Sequence, residues 1–326
     1  MIISKTPLRI SFLGGGTDYP EYFLTHGGAV LGSAIDKFAY FSVSKFYSRL
    51  FDYSIRIAYR QVECVRELDE IQHAPFRECL RWCELERDIE VDHSAELPAF
   101  TGLGSSSAFV VGLLSALNAY KGRSLRGLDL AYEAIRVERE VLREPVGCQD
   151  QTFAALGGTN LIEFHAIDNI VVHRVPLSRE RLEEIEANLL IVYTGTRRRA
   201  NDIASAQVGR VNQNLPLLHR LRTLVEDGYR AMTQNEGIEE FGKLVGESWL
   251  LKSQLEPKIA DNHIRDMYSR AMSAGAFGGK LLGAGGGGFF LFVVAPERRV
   301  RVREALSCPP EVEVRLGAPG SHIINS

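Results

Sequence analysis

The sequence predicts a mixed α+β fold with roughly two domains. Its 326 residues exceed the ~150 residues of a typical single domain. The composition, 45% hydrophobic and 24% charged, is that of an ordinary globular protein with enough apolar material for a sizeable core. Strand-like and helix-like segments follow one another along the chain without an internal repeat, which indicates helices and sheets in the same unit.

The predicted elements of the first half are mostly strands. Strands are expected at residues 8–13, 38–46, 55–65 (two short strands) and 89–97, because these runs are apolar or aromatic and loosely alternating. A helix is expected at residues 72–87. Two further helices are predicted from residue 105 and over residues 126–143.

The second half continues with strands near residues 159–164, 170–175 and 189–193. Helical segments are predicted from there to about residue 274. The segments GGKLLGA and FFLFVVA, which lie on either side of a glycine run, are expected to be strands. A helix from residue 296 and a final short strand pair are expected to follow. A domain boundary is expected near residues 178–186.

Charge and cysteine content exclude several classes of function. The net charge of −3, from 38 basic and 41 acidic residues, gives no electrostatic footprint for nucleic acid and no basic run for a membrane surface. The five cysteines form no C-x-x-C pair and are expected to be free thiols in a reducing compartment. The chain shows neither a signal-peptide pattern at its start nor an apolar run near the ~18 residues of a membrane span. A cytoplasmic location is therefore expected.

A first glycine loop, Gly14 to Gly16, follows the first strand. Arg9 lies on that strand, and Thr17 and Asp18 follow the glycines. Glycines allow a ligand to approach the backbone closely, and a hydroxyl next to a carboxylate suits a polyol. A glycine-rich hairpin turn capped by the aspartate explains the pattern equally well.

A second glycine loop precedes an apolar helix and reads TGLGSSSAFVVGLL from Thr101. A helix start presents unpaired N–H groups and a partial positive charge, and Gly102, Gly104 and the serines Ser105 to Ser107 would let phosphate oxygens approach it. The segment lacks the Walker sequence G-x-x-x-x-G-K-[ST]. A serine cap on a buried helix is the alternative.

A third glycine loop, KLLGAGGGGFF from Lys280, contains G-x-G-x-x-G. The dinucleotide fingerprint opens a helix after a strand, whereas these glycines lead into another strand-like run. A glycine hairpin packed close to a substrate therefore fits better, with a flexible turn between two strands as the alternative.

Glu138 occupies an unexpected place on its predicted helix. At ~100° per residue, the apolar residues of the segment LDLAYEAIRVEREVL form one arc, and Glu138 falls near its middle. A buried, unpaired carboxylate is costly, so it needs a partner. Arg9 and Mg²⁺, a cation that prefers oxygen ligands, are equally weighted candidates.

Asp150 follows twelve residues later, between two glutamines. It is either a helix cap or solvated acid, or a second carboxylate at the same site that takes a proton or orients an attacking hydroxyl. A phosphate-cradling helix start, a metal carboxylate, a base and a polyol loop together indicate phosphoryl transfer to a hydroxyl.

These motifs resemble those of the GHMP kinases, a family that includes galactokinase, homoserine kinase and mevalonate kinase. The family's ATP-phosphate loop has a proline, a short spacer and then G-L-G-S-S-A; here Pro98 precedes the matching loop, with Ser107 where alanine is common. The resemblance implies that ATP is bound by the residues Pro98, Gly102, Leu103, Gly104, Ser105, Ser106 and Ser107.

The resemblance also implies roles for the acids and for the third glycine loop. The family's catalytic aspartate, in a G-x-x-D-Q context, falls on Asp150, with Arg9 as the basic residue that stabilises phosphate charge or activates the acceptor. Its Mg²⁺ ligands fall on Ser106 and Glu138. Substrate contacts are implied at Gly15, Gly16, Thr17, Asp18, Gly285, Gly286 and Gly287.

Two features narrow the implied acceptor to a sugar. Galactokinases have G-E-H-T-D-Y in the first loop, and this chain keeps T-D-Y but has glycines before it, which argues against galactose. The strings TPLRISFLGGGTD and KLLGAGGGGFF are similar to those of the D-glycero-D-manno-heptose 7-phosphate kinases of the family, which phosphorylate the anomeric hydroxyl. Arg197, first of three arginines after a predicted strand, could contact the phosphate of such a substrate, or belong to a solvated cluster.

The family's fold, carried over, predicts an N-terminal α/β sandwich at residues 1–180 and a ferredoxin-like domain at residues 181–326, with ATP and sugar in the cleft between them. A monomer or homodimer acting on a small-molecule sugar or sugar phosphate is expected. Another sugar 1-kinase of the family, a sugar and nucleotide sensor without turnover, and an ATP-dependent decarboxylase are the alternatives.

Overall fold

A computed structural model describes residues 1–99, 101–196, 200–234 and 237–325. The larger of its two sheets has eight strands in the order β11-β1-β2-β5-β3-β4, with β6 paired to β2 and β7 to β6. These strands are β1 (Ile2–Leu13), β2 (Gly28–Lys45), β3 (Ile55–Ala58), β4 (Val62–Val65), β5 (Ile89–Ala95), β6 (Thr159–Ala166), β7 (Asn169–Arg174) and β11 (His322–Asn325).

The smaller sheet has three antiparallel strands in the order β8-β10-β9. They are β8 (Leu189–Tyr193), β9 (Gly278–Leu281) and β10 (Phe289–Val293). Every residue of β9 and β10 is buried, so this sheet is covered on both faces. The mixed α+β fold in two units is confirmed.

The helices of the described residues fill the space around and between the sheets. They are α1 (Pro20–His26), α2 (Ala74–Trp82), α3 (Ser105–Tyr120), α4 (Gly127–Arg136), α5 (Gln149–Leu156), α6 (Arg179–Asn188), α7 (Ala200–Val208), α8 (Leu215–Thr233), α9 (Ile238–Leu255), α10 (Asn262–Ser273) and α11 (Arg299–Ala305). Helix α9 contacts β1 of the large sheet as well as β9 and β10 of the small one. No helix in the described part of the chain is both long and apolar enough to cross a membrane.

Helix α3 lies in the core against β1, β2 and α5. Its close approach to the sheet depends on Gly112, because a Cβ there would lie 2.8 Å from Thr6 Oγ1 and 3.0 Å from the ring of Phe41. Most of its second to fourth turns is buried. The serine-rich start of the helix is thereby fixed relative to the end of β1.

Several predicted elements differ in length from the observed ones. The helix predicted at residues 72–87 is confined to α2. The helix predicted at 126–143 ends as α4 and continues through a single π-helical turn, Val137–Val141. Helices α1, α5 and α6 were not predicted. Helices α1 and α5 are short, at seven and eight residues, and each is flanked by glycines that resemble loop sequence. Helix α6 occupies the segment where a domain boundary was expected.

The end of the chain returns to the first sheet. Leu316 bridges Ile35, Pro319 bridges Gly157, and β11 pairs antiparallel with β1. The predicted final strand pair is therefore one strand with isolated bridges. The division into residues 1–180 and 181–326 stays a prediction, with this last segment lying against the N-terminal sheet.

Candidate functional site

One cavity brings together the end of β1, the first two glycine loops and the helix starts of α3 and α5. Its wall includes Arg9, Asp18, Ser105 to Ser107, Asp150 and Lys252. These residues come from five separate parts of the sequence. Arg9, Asp18, Asp150 and the serines were predicted to share a site, and the structure places them around the same space.

The start of α3 is built by glycine and not by a serine cap. Gly104 is the N-cap residue, in a left-handed conformation at φ 74°, and no side chain caps the helix. None of the serines caps the helix, and Ser105, Ser106 and Ser107 all line the cavity. The first turn contains no acidic residue, so no side chain of its own compensates the partial positive charge of its N–H groups. This geometry suits an anionic group such as a phosphate.

Arg9 and Asp150 form a two-pronged ion pair on the cavity wall. Arg9 Nε donates to Asp150 Oδ1 at 2.8 Å and Arg9 Nη2 to Oδ2 at 2.7 Å. A third donor, Nη1, contacts the carbonyl of Gly102 at 2.8 Å. Bidentate pairing fixes the carboxylate in plane and direction. Arg9 thus links the acid of α5 to the phosphate-type loop before α3.

Glu138 is fully buried, as its position on the apolar arc predicted. Its Oε1 accepts from Ser107 Oγ at 3.1 Å, and its Oε2 accepts from Gln151 Nε2. Burial raises the pKa of Glu138 to about 8. The prediction that Arg9 pairs with Glu138 was wrong. The Arg9 guanidinium is bound to Asp150, and the Glu138 carboxyl group accepts from two neutral donors.

Ser107 connects Glu138 to the cavity. It lines the cavity while its hydroxyl donates to the carboxylate, so Glu138 lies one hydrogen bond behind the wall. Glu138 belongs to the π-helical turn. Such turns recur at functional sites, where they redirect a side chain.

Asp18 is the residue of the first loop that faces the cavity. Its carboxylate accepts from the backbone N–H groups of Gly16 at 3.0 Å and Gln149 at 3.4 Å. Burial, reinforced by the nearby Asp150 charge, raises the pKa of Asp18. Gly147 must lack a side chain here, because a Cβ would lie 2.0 Å from Asp18 Oδ2.

Thr17 has a different environment from Asp18. Its hydroxyl lies 2.9 Å from the carbonyl of Gly14 and 2.8 Å from that of Ala29, and accepts from Ala29 N. It is fully buried and holds the loop against β2. Gly16 lines the cavity and Gly15 lies beside it, so the polar face of this loop is supplied by Asp18 and the glycine backbone.

The third glycine loop touches the cavity at its start only. Gly283 and Ala284 line the wall. A Cβ on Gly285 would meet Ile259 at 2.9 Å, a Cβ on Gly287 would meet Thr196 at 2.6 Å, and Gly286 N donates to Ile259 O. The structure therefore packs Gly285, Gly286 and Gly287 against protein. Their role in substrate binding stays a prediction.

Gly102 and Gly283 bring two glycine loops into direct contact. A Cβ on Gly102 would lie 2.4 Å from the carbonyl oxygen of Leu282, and φ at Gly102 is +83°. Gly102→Ala is expected to lower the free energy of unfolding by about 3 kcal/mol, since backbone strain and a clash add. Chemical denaturation measures this loss.

Gly122→Ala is the matched control for backbone strain alone. Its φ of +74° is similar, and nothing lies within 4 Å of an added Cβ. A loss of only about 1 kcal/mol is expected there. Equal losses of unfolding free energy in the two variants would show that the second and third glycine loops are not in close contact at Gly102.

Two predicted nucleotide-binding residues, Pro98 and Leu103, do not line the cavity. Leu103 is buried in the core, and the Pro98 carbonyl accepts from Thr101 Oγ1 at 2.9 Å. Arg197, with the two arginines after it, lies outside the described residues. All five cysteines are free thiols, as predicted.

Six cavity residues with polar side chains were missed by the sequence prediction: Ser11, Tyr19, Gln149, Gln207, Lys252 and Lys280. Lys252 could have been found, because it lies on the apolar stripe of α9 in line with the buried residues Val245, Trp249 and Leu255. This is the signal that identified Glu138. Ser11 and Lys280 lie on strands whose continuous burial hides a polar residue.

Both lysines are buried without a carboxylate at ion-pair distance in the described chain. Lys252 Nζ donates to the carbonyl of Gly283 at 2.5 Å, and Lys280 Nζ to that of Phe12 at 2.9 Å. Burial lowers the pKa of Lys252 to about 8. Burial, with the neighbouring Lys252 charge, also lowers the pKa of Lys280. The cavity therefore carries more positive than negative side chains.

Comparison with known proteins gives matches over nearly the whole chain. A model of the GHMP kinases N terminal domain matches residues 63–158, and one of the GHMP kinases C terminal domain matches residues 230–311. The chain is 28% identical to a D-glycero-alpha-D-manno-heptose 7-phosphate kinase of Campylobacter jejuni, over 94% of this chain and 93% of that protein.

Two further matches extend the comparison. An L-fucokinase/L-fucose-1-P guanylyltransferase of Bacteroides fragilis is 28% identical, over 94% of this chain and 36% of that protein. A solved D-glycero-D-manno-heptose 1-phosphate kinase from Bacteroides thetaiotaomicron is similar in fold, with a TM-score of 0.81 and 24% identity over 100% of this chain and 99% of that one.

Proposed function

The chain belongs to the GHMP kinase family, and we propose that it transfers the γ-phosphoryl group of ATP to the anomeric hydroxyl of D-glycero-D-manno-heptose 7-phosphate, giving the 1,7-bisphosphate. The observation that carries the proposal is the arrangement of one cavity. An acid held by a guanidinium, Asp150 with Arg9, lies beside the start of α3. Phosphoryl transfer needs a group that acts on the acceptor hydroxyl close to a site that binds phosphate.

The start of α3 fits the phosphates of ATP. Ser105, Ser106 and Ser107 line it, its own first turn contains no acid, and Gly102 and Gly104 keep side chains out of the approach. Backbone N–H groups would bind the phosphate oxygens, and the serine hydroxyls would add donors. In this assignment the loop serves binding and orientation of the nucleotide.

Mg²⁺ fits the donor set in part. Ser106 is an exposed hydroxyl at the helix start, and Glu138 is a buried carboxylate behind Ser107. No cluster of three or more acidic, histidine or cysteine side chains that could hold a metal occurs in the described residues. Mg²⁺ commonly takes one or two protein ligands and completes its shell with phosphate oxygens and water. Bound there, it would neutralise phosphate charge.

Asp150 and Arg9 act on the acceptor hydroxyl in this proposal. The carboxylate either takes the hydroxyl proton or orients the hydroxyl and stabilises the charge that develops on it. Arg9 fixes the carboxylate and places a positive charge beside the transferred group. Asp18, on the same wall, offers a carboxylate to the hydroxyl groups of the sugar.

A hexose such as fucose is the second candidate acceptor. It is favoured by the similarity to the L-fucokinase of Bacteroides fragilis, which equals that to the heptose kinase in identity. A sensor without turnover is disfavoured by the intact Arg9–Asp150 pair. We propose a cytoplasmic enzyme, monomeric or homodimeric, acting on a small-molecule substrate.

A coupled assay of ADP release tests this function. The purified chain is incubated with ATP, Mg²⁺ and, separately, heptose 7-phosphate, free heptose, fucose, galactose and mevalonate. ADP release with heptose 7-phosphate, and a product whose new phosphate is placed on the anomeric carbon by NMR, is expected. The proposal would be overturned if ADP were released with mevalonate only, or if none of the acceptors in the panel led to ADP release.

A further inference from the structure

Three polar side chains converge on the open space beside Gly15. A Cβ built on Gly15 would lie 3.4 Å from Ser11 Oγ, 3.7 Å from Gln149 Nε2 and 3.8 Å from Lys252 Nζ. None of these residues was assigned a role above. Within the described residues, Ser11 Oγ and Gln149 Oε1 are buried and have no hydrogen-bond partner. Buried polar atoms without partners are uncommon in proteins, and here two of them border one space.

Lys252 gives this space a positive charge. The side chain is 7% exposed, and among the described residues its ammonium group donates one hydrogen bond, to the neutral carbonyl of Gly283. The charge of Asp18 favours the ammonium form of Lys252, but the oxygens of Asp18 accept from backbone N–H groups. A desolvated ammonium without a carboxylate partner is costly. An anionic ligand would relieve that cost, whereas a sugar hydroxyl brings no charge.

The space beside Gly15 lies about the length of a sugar ring from the Arg9–Asp150 pair. Ser11 follows Arg9 by two positions on β1, so both side chains project from the same face of the strand, about 7 Å apart. Gln149 precedes Asp150 on α5. A ligand whose hydroxyl meets Asp150 would therefore extend across the length of a sugar ring to reach the side chains of Ser11, Gln149 and Lys252.

We propose that Ser11, Gln149 and Lys252 form a subsite for a phosphate group that the acceptor already carries. Lys252 pairs with the phosphate, Ser11 donates to it, and the unpartnered oxygen of Gln149 accepts from an adjacent sugar hydroxyl. This inference rests on the proposed function and identifies the acceptor class as sugar phosphates. It assigns the recognition of that phosphate to Lys252 in place of Arg197.

Steady-state kinetics with Lys252→Met tests the subsite. The KM for heptose 7-phosphate is expected to rise about 30-fold, and the KM for phosphate-free heptose less than threefold, because only the first acceptor loses a charge-assisted hydrogen bond. Lys252→Gln keeps a donor for the Gly283 carbonyl and is expected to show the same discrimination. Lys243→Met, on the exposed face of the same helix, should behave as the unchanged protein.

Gly15→Ala tests the same space without altering a charge. The added methyl meets no protein atom closer than 3.4 Å, so the fold is expected to persist, with an unchanged thermal unfolding midpoint. The methyl occupies the position between the three polar groups, and the KM for heptose 7-phosphate is expected to rise at least tenfold. Calorimetric titration of the Lys252 and Gly15 variants with heptose 7-phosphate, in the absence of ATP, should show losses of affinity that match the rises in KM.

Two results would overturn the subsite and leave the kinase function standing. One is an equal change for both acceptors in the Lys252 variants, which would assign Lys252 to the transferred phosphoryl group or to the glycine loop. The other is an unchanged protein that phosphorylates free sugars as efficiently as sugar phosphates. Failure of the unchanged protein to phosphorylate any sugar would overturn both proposals.

Discussion

Asp150→Asn is expected to lower kcat by about a thousandfold or more while the chain still binds ADP. The substitution removes the negative charge that either accepts the hydroxyl proton or stabilises the transition state, and groups with such roles contribute effects of this size. The asparagine can still accept one of the two hydrogen bonds from Arg9. Single-turnover phosphorylation and a fluorescence titration with ADP separate the loss of chemistry from a loss of nucleotide binding.

Asp129→Asn is the matched control for Asp150→Asn. Asp129 also lies in the first turn of a helix, but it is exposed and outside the cavity. It should retain turnover within a factor of two. A kcat of Asp150→Asn above about a tenth of the unchanged value would remove Asp150 from the chemistry.

Glu138→Gln is expected to lower kcat by about a hundredfold and to raise the Mg²⁺ concentration needed for half-maximal rate. The amide keeps the size of the side chain and can accept from Ser107, but it cannot ionise to the carboxylate that a bound cation would favour. Titration of the initial rate with Mg²⁺ at saturating ATP measures both effects.

Glu138→Gln is expected to lower activity but not to lower stability at pH 8. Burial raises the pKa of Glu138 from 4.5 to about 8, so the folded chain retains a proton there that the unfolded chain releases. The unchanged protein should therefore lose stability from this group as the pH rises from about 4.5 to about 8. Glu138→Gln should remove that loss and equal or exceed the unchanged protein in unfolding free energy at pH 8.

Glu140→Gln is the control within the same π-helical turn. Glu140 is exposed, so neither the Mg²⁺ dependence nor the stability should change. A Glu138→Gln variant that unfolds more easily yet turns over normally would mean that the buried carboxylate has a structural role only.

The burial of Glu138 was predictable because its evidence is local. Helical periodicity places it among apolar residues, and the structure buries it completely. Its partners were not predictable, since Ser107 and Gln151 come from helices α3 and α5. The periodicity indicates that a buried acid needs donors without indicating which ones.

The contact between Arg9 and Asp150 joins residues 141 positions apart in the sequence. The family resemblance placed both residues at one site, whereas their pairing depends on how β1 and α5 pack. Lys252 shows the converse case. Its place on the apolar stripe of α9 was visible in the sequence, but no motif drew attention to that helix.

The short and terminal elements were the least predictable parts of the fold. Helix α1 begins at Pro20 and ends before Gly27, and seven residues are too few for a periodic pattern to emerge. Strand β11 pairs with β1 across the whole chain length. Such non-local pairing leaves no signature within the segment itself.

A crystal structure with a non-hydrolysable ATP analogue, Mg²⁺ and heptose 7-phosphate tests the central claim most directly. The account predicts the triphosphate against the start of α3 at Ser105 to Ser107, and the anomeric hydroxyl about 3 Å from the Asp150 carboxylate. A triphosphate bound away from that helix start, or a sugar bound outside the cavity of Arg9 and Asp150, would contradict it.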